Sequence, residues 1–377
     1  MTPAEPKAGP RLALVSRGDP LTSYLHAALA RRYPVVADID VELRGARRAA
    51  VAAMTFRPTW PRWAGRYMKS NFGFRARSGL ARRRLDELDE PFDVVVQTHA
   101  LFDAGPAATV VYVDCTYLEA VRGWPAWTPL RGPAETQWLR SERRLYRRAT
   151  HLFAFTARSR DSLVEDYGVD PARITIVGAG VNFRTDPSAL PNASADGART
   201  ILFVGKEFER KGGPQLLDAF RRVRGEFPDV RLQIVGATPS GILPDGVDLL
   251  GEVDSRARMD ELYAQADIFC LPSLFDPAPL VVLEAMGHGL PCVLSEGASA
   301  HVRTLVDDRS GGWAAPTGDA TGIAEGLLTY LRDPVSAQRA GETARRAMSE
   351  AYTWDCVVDR MAPVLDALGA QRVTNRS

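Results

Sequence analysis

Lysine is nearly absent from this chain of 377 residues. Of its 47 basic residues, four are lysines (Lys7, Lys69, Lys206 and Lys211) and 43 are arginines. A lysine that does occur therefore invites a reason. Cysteine is also scarce: Cys115, Cys270, Cys292 and Cys356 are widely spaced. No CxxC pair forms, which excludes a zinc knuckle and a disulfide framework and fits a reducing compartment. Net charge is lacking too, with 47 basic against 46 acidic side chains, so the chain as a whole does not read as a nucleic-acid binder. No apolar run approaches the ~18 residues of a spanning helix. The opening Met1-Thr2-Pro3-Ala4-Glu5-Pro6 lacks the apolar core of a secretion signal. The expected location is the cytoplasm, with attachment to the inner face of a membrane as an extension. GxGxxG after the first strand, GxSxG and HExxH are all missing. That argues against a nicotinamide enzyme, an α/β-hydrolase and a zinc protease.

What is present is a globular composition, 45% hydrophobic and 25% charged, long enough for two or three domains. Short β-branched runs alternate with helical patterns. Strands are expected at 11–16, 33–41, 91–97, 108–113, 151–156 and 174–177. After a loop-like stretch rich in Pro, Asp, Ser and Gly, the alternation restarts at 200–204, 231–235, 268–271, 291–294 and 312–315. The pattern implies two doubly wound α/β domains, 1–184 and 200–352, joined by a linker at 185–199 and followed by a terminal helix at 353–377. Such sheets take ligands beyond the carboxyl ends of their strands, so a cleft between facing domains is the expected site.

Two stretches carry chemistry. In Gly205-Lys206-Glu207-Phe208-Glu209-Arg210-Lys211-Gly212-Gly213, two of the four lysines stand in one strand-to-helix turn. That is where an α/β domain receives anions, and a compact ammonium can press on a phosphate. In the stretch from Pro272 to Gly289, Pro279 suits a first helical turn. The amides of Leu280 and Val281 would then be free donors at a positive helix end. Asp276 precedes that helix and Glu284 lies within its apolar run, where an acid is costly without a partner. The two carboxylates can accept hydrogen bonds from sugar and ribose hydroxyls. A surface acid and a structural salt bridge are the plainer alternative.

These residues resemble the retaining glycosyltransferases of family 4, which have the GT-B fold. Lys206 and Lys211 match the family's pair of basic residues five apart. Asp276 to Glu284 match its acid-x7-Glu motif, with Asp in place of the usual Glu, and Gly289-Leu290-Pro291 matches its Gly-x-Pro. Thr353-Trp354-Asp355 resembles the start of its final helix, which implies that 353–377 packs back on the N-terminal domain. The resemblance further implies that Gly18, like Gly205, approaches the donor diphosphate, and that Asp114 or His99 touches the transferred sugar. The implied reaction moves a sugar from a nucleotide diphosphate sugar to a glycan, lipid-linked or small-molecule acceptor, with no metal and no cofactor beyond the donor substrate. The 1–184 domain would hold the acceptor and the 200–352 domain the donor. Another GT-B enzyme, such as a sugar-nucleotide epimerase, or a non-catalytic membrane-associated GT-B protein is the alternative.

One local asymmetry is left. Arg44 to Arg84 holds twelve basic residues and no acid, interleaved with Phe56, Trp60, Trp63, Tyr67, Phe72 and Phe74. The expectation is an anionic surface contacted by this stripe, a bilayer or an acidic acceptor. Asp38-Ile39-Asp40 is a DxD string, but an early strand is a poor place for the metal such a string holds in other glycosyltransferases.

Overall fold

The computed structural model describes residues 9–18, 20–58, 60–105, 107–182, 199–277, 279–298 and 311–374. The chain forms two compact units, one of residues 1–180 and 354–377, the other of residues 181–353. All of the expected linker except Arg199 lies outside the described residues.

The first unit holds a six-stranded parallel sheet: β1 (Leu12–Ser16), β2 (Val35–Asp40), β3 (Val94–Thr98), β4 (Thr109–Val113), β5 (His151–Ala154) and β6 (Ile174–Ile176), in the spatial order β2-β1-β3-β4-β5-β6. Leu12 lies opposite Val94, and β1, β3 and β4 are buried along their whole length. Continuous β-branched runs are what a strand covered on both faces requires. The final helix, Trp354–Thr374, belongs to this unit. It packs on the helix Pro20–Arg32, with Arg31 on Asp355 at 2.6 Å and the Tyr33 hydroxyl donating to Asp366 at 2.9 Å. Arg360 donates to the Val177 carbonyl at 2.7 Å.

The second unit holds β7 (Thr200–Val204), β8 (Arg231–Val235), β9 (Val247–Gly251), β10 (Ile268–Leu271), β11 (Cys292–Ser295) and β12 (Gly312–Ala315), all parallel, in the order β12-β11-β10-β7-β8-β9. Its core is built from both faces, with Phe203, Phe220, Leu232, Phe269, Leu283 and Leu327 fully buried. The order reverses between β7 and β10, because β8 and β9 go one way from β7 while β10 to β12 go the other. The carboxyl edge at β7 and β10 is therefore the switch point of this sheet, the place where such folds take ligands.

Several elements were not read from the sequence. Residues 44–86 fold as three helices, Gly45–Thr55, Trp60–Lys69 and Asn71–Asp86. Arginine is a good helix former, and Ser70 caps the third helix by accepting from the Gly73 N–H at 3.0 Å. The edge strand β9 and the helices Ala320–Arg332 and Pro334–Ala351 were also unread.

Candidate active site

The two stretches singled out by sequence meet at the reversal point of the second unit. Gly205 to Gly212 leaves β7, and the helix Gly213–Glu226 follows. The stretch 272–279 leaves β10 and leads to the helix Leu280–Gly287. Gly212 makes the meeting possible. Its φ is +76°, and a Cβ there would stand 1.8 Å from the Pro272 carbonyl oxygen, so only glycine fits. Leu274 N–H donates to the Arg210 carbonyl at 2.9 Å, and Arg210 returns a bond to the Phe275 carbonyl at 2.7 Å. The loops are thus laced together by one backbone bond and by the Arg210 guanidinium.

Beside the first loop lies a cavity of ≈ 570 Å³, lined by Gly205, Lys206, Arg210 and Lys211, by Val235 and Gly236 at the end of β8, and by Val281 and Glu284 of the helix Leu280–Gly287, among others. The volume is in the range of small-molecule sites. Lys206 is exposed and pairs with Glu252 at 3.1 Å. Lys211 is partly buried, its side chain 13% exposed, and pairs with the buried Asp276, whose side chain is 7% exposed. Sequence alone assigns these two groups different partners, Lys211 a phosphate and Asp276 a sugar hydroxyl. The structure makes them partners first, because each buried charge needs the other. Asp276 and Leu280 are not among the lining residues. At the helix start, Val282 N–H bonds the Pro279 carbonyl at 2.9 Å, while the Leu280 and Val281 N–H groups have no bond to a described residue.

Glu284 lines the cavity, yet each of its oxygens is already engaged. Oε1 accepts from Arg256 at 2.7 Å and Oε2 from the Tyr263 hydroxyl at 3.0 Å. This is the structural ion pair that the sequence left as the plainer alternative. Arg256 also reaches Asp260 at 2.7 Å. Burial would lower its guanidinium, but Glu284 and Asp260 outweigh that and hold it above the ordinary value. Burial, then Glu284, pushes the Tyr263 phenol well up, so it stays a donor. Tyr263 stacks on the buried His288, whose Nδ1 lies 2.9 Å from the Glu284 carbonyl. Burial lowers the His288 imidazole. Arg256 was missed by sequence reasoning, since its 28-residue separation from Glu284 is set by the fold. Arg210 sits inside the stretch already quoted, and its place between two lysines was the available signal.

In the first unit, Gly18 occupies the turn after β1 with φ +72°. His99 and Asp114, put forward as alternatives, are a pair. They follow β3 and β4, and His99 Nδ1 lies 3.2 Å from Asp114 Oδ1. His99 is the one non-glycine with a positive φ (63°) among the described residues, a conformation that costs energy and concentrates at functional positions. Burial pushes the Asp114 carboxyl up, but the charge and hydrogen bond of His99, with Lys69 behind, bring it below its usual range. Lys69 is buried, with its ammonium 4.9 Å from the centroid of Trp127 and 5.5 Å from that of Tyr117.

The Arg44–Arg84 stripe is not one surface. Arg44, Arg47, Arg48, Arg57, Arg75, Arg82, Arg83 and Arg84 are exposed, as are Met54, Phe56 and Phe72. Lys69, Phe74 and Arg77 are buried instead, because folding into helices that pack on one another turns part of the stretch inward. The side chains of Trp60 and Arg62 lie outside the described residues. In the DxD string, Asp38 meets His26 at 2.8 Å and Asp40 meets Arg44 at 2.8 Å. Among the described residues no helix is long and apolar enough to cross a membrane.

Residues 21–184 match the family described as Glycosyltransferase Family 4, and residues 198–333 match Glycosyl transferases group 1. A glycogen synthase of Mycobacterium tuberculosis is 27% identical over 304 residues, covering 76% of this chain and 72% of the relative. A phosphatidyl-myo-inositol mannosyltransferase of Mycobacterium leprae is 31% identical over 179 residues, covering 45% and 47%. The structure of the Anabaena protein HepE in complex with UDP-glucose superposes with a TM-score of 0.64 at 16% identity, over 95% of this chain and all of that one. Two parallel Rossmann-like sheets, matched family signatures over both units and the paired loops at the reversal point lead to one conclusion: the chain belongs to the family 4 glycosyltransferases of the GT-B fold.

Proposed function

We propose that this glycosyltransferase moves a sugar from a nucleotide diphosphate sugar to an acceptor hydroxyl with retention at the anomeric carbon, and that it needs no metal to do so. The single observation that carries the reading is the cavity at the carboxyl ends of β7 and β8 on which Lys206, Arg210, Lys211 and Glu284 converge. The difficult event is departure of the nucleotide diphosphate. Lys206, Lys211 and the amides of Leu280 and Val281 supply fixed positive charge for the oxygens on which negative charge builds. That is the task a divalent ion performs elsewhere. Glu284, oriented by Arg256 and Tyr263, would use its remaining lone pairs for the ribose hydroxyls. Asp276 would hold Lys211 and accept from the sugar. Retention is what the family resemblance implies. The bond from C1 to the diphosphate oxygen breaks, the acceptor oxygen bonds C1 on the same face, and its proton passes to the leaving phosphate.

The donor class is supported by the UDP-glucose in the HepE structure, and a lipid-borne acceptor by the name of the mannosyltransferase relative. Exposed Met54, Phe56 and Phe72 beside eight exposed arginines suit a transient seat on an anionic bilayer. The test is Lys206→Ala. Its partner Glu252 is an exposed residue, and exposed pairs contribute little stability, so the fold should be unharmed. Turnover with the best donor from a panel of UDP-, GDP- and ADP-sugars should drop roughly 10²–10³-fold and wild-type turnover should survive EDTA. Undiminished turnover in the variant, or activity restored only by Mg²⁺ or Mn²⁺, would refute the mechanism.

A further inference from the structure

The buried guanidinium of Arg77 has no role in the site described above. It is 0% exposed, on the helix Asn71–Asp86 of the first unit. Its Nη1 donates to the Met68 carbonyl at 3.2 Å, which fixes the plane of the group. Nε and Nη2 have no hydrogen-bond partner among the described residues. Those two nitrogens form the side edge of the guanidinium, from which two parallel N–H bonds point the same way. That edge is the one that grips two oxygens of a carboxylate or phosphate. A charge buried without such a partner is costly.

Arg17 meets the same residue, Met68, at its sulfur. It directly follows β1, at the carboxyl edge where a doubly wound sheet takes ligands. Its Nη1 lies 3.2 Å from Glu42 Oε2 and 3.5 Å from the Met68 sulfur, and its Nε is likewise buried without a partner. Glu42 also accepts from the Tyr67 hydroxyl at 3.4 Å, and the Arg77 guanidinium lies over the Tyr67 ring, 5.5 Å from its centroid. Glu42 is thus bonded by Arg17 and Tyr67 but not by Arg77, and the two guanidiniums keep three buried nitrogens, Arg77 Nε and Nη2 and Arg17 Nε, with no hydrogen-bond partner among the described residues. A planar carboxylate would use the Arg77 edge alone. A tetrahedral dianion uses the edge and a further donor from another direction, and it answers the surplus charge.

We propose that Arg77 and Arg17 recognise a phosphate monoester on the acceptor, Arg77 through its Nε/Nη2 edge and Arg17 through Nε. The proposal rests on the reading that the first unit takes the acceptor, and it narrows that acceptor to a phosphorylated one. The phosphate can come from a soluble sugar or polyol phosphate, or from a lipid headgroup.

Inorganic phosphate is titrated into the full chain by calorimetry, in a Lys206→Ala background that weakens any phosphate binding in the second unit. Arg77→Lys keeps the charge and removes the fork. Arg17→Gln changes a side chain that is 27% exposed and so spares folding. Each should weaken phosphate binding about tenfold or more, the worth of a charge-assisted bond. Glycerol 3-phosphate and vesicles of phosphatidylcholine with phosphatidic acid are then compared. Arginine-dependent binding of the first identifies a soluble source, and of the second alone a headgroup. Phosphate binding that is absent, or equal in the parent and in Arg17→Gln, overturns the proposal. Because binding rather than transfer is read, that outcome leaves the glycosyltransferase reading standing on its own test.

Discussion

Lys211 and Asp276 offer a test in which two substitutions should move affinity in opposite directions. Their side chains are 13% and 7% exposed, so the pair sits in a medium where an unpartnered charge is expensive. Removing either partner should cost about 3–5 kcal/mol of stability in the second unit, since the other charge is left buried and alone. Nucleotide binding separates the two. In Lys211→Met a donor to the diphosphate is lost, and affinity for UDP, or for the preferred nucleoside diphosphate, should fall by about 1.5–3 kcal/mol, roughly 10- to 150-fold. In Asp276→Asn the ammonium remains and loses its internal competitor. Affinity for the diphosphate should hold or rise, while turnover falls because the sugar has lost a charged acceptor. Denaturant unfolding measures the first effect and calorimetry the second, each at a temperature where both variants are folded. A fall in affinity of equal size in both variants would refute the reasoning, because it would mean that the pair only shapes the loop and that Lys211 never meets the phosphate.

Glu284→Gln should weaken nucleoside diphosphate binding by about 1.5–3 kcal/mol, and the difference from wild type should vanish with a 2′,3′-dideoxy nucleotide. A loss that persists with the dideoxy compound would make Glu284 solely the partner of Arg256 and Tyr263. Glu119 is fully buried in the first unit, and burial raises its carboxyl from 4.5 to about 6. The folded state therefore holds this proton more tightly than the unfolded chain, so stability present below pH 4.5 is lost as pH rises through 6, by about 2 kcal/mol. Glu119→Gln should remove that loss and raise the first unit's melting temperature more at pH 7.5 than at pH 4.5; an equal effect at both would contradict it. The exposed arginines of residues 44–84 should carry the chain onto anionic but not neutral vesicles, with co-sedimentation declining as salt shortens the reach of charge to ~8 Å and below. No binding to anionic vesicles at low salt would rule out a membrane seat.

The strands buried on both faces were legible because burial leaves them little chemical freedom. β1, β4 and β7 are short β-branched or aliphatic runs whose composition suffices to locate them. β9 was not legible. It is an edge strand, partly exposed and interrupted by Asp248, so its conformation is set by pairing with β8 and not by its own composition. The three helices of residues 44–86 escaped for a related reason. Their arginines drew attention as charge, yet in a helix the same residues alternate between water and the packed side. Arg77 and Lys69 thus carry into the interior a charge that the sequence counted as surface.

The site divides along the same line. Its cations were visible because lysine is rare and the lysine pair lies in one turn. Its acids were visible as residue types, but their partners were not. Asp276 meets Lys211 across 65 residues and Glu284 meets Arg256 across 28. Such distances are bridged only by the strand order, in which β10 lies beside β7 while β8 and β9 lie beyond. The same logic joins His99 to Asp114. Sequence presents them as rivals because each follows its own strand, and the adjacency of β3 and β4 makes them one unit, with the histidine held in a strained backbone conformation to reach the acid. A parallel sheet lines up the carboxyl ends of its strands. Residues that share the position just after a strand are therefore candidates for contact whenever the strand order places them side by side, however far apart they stand in the chain.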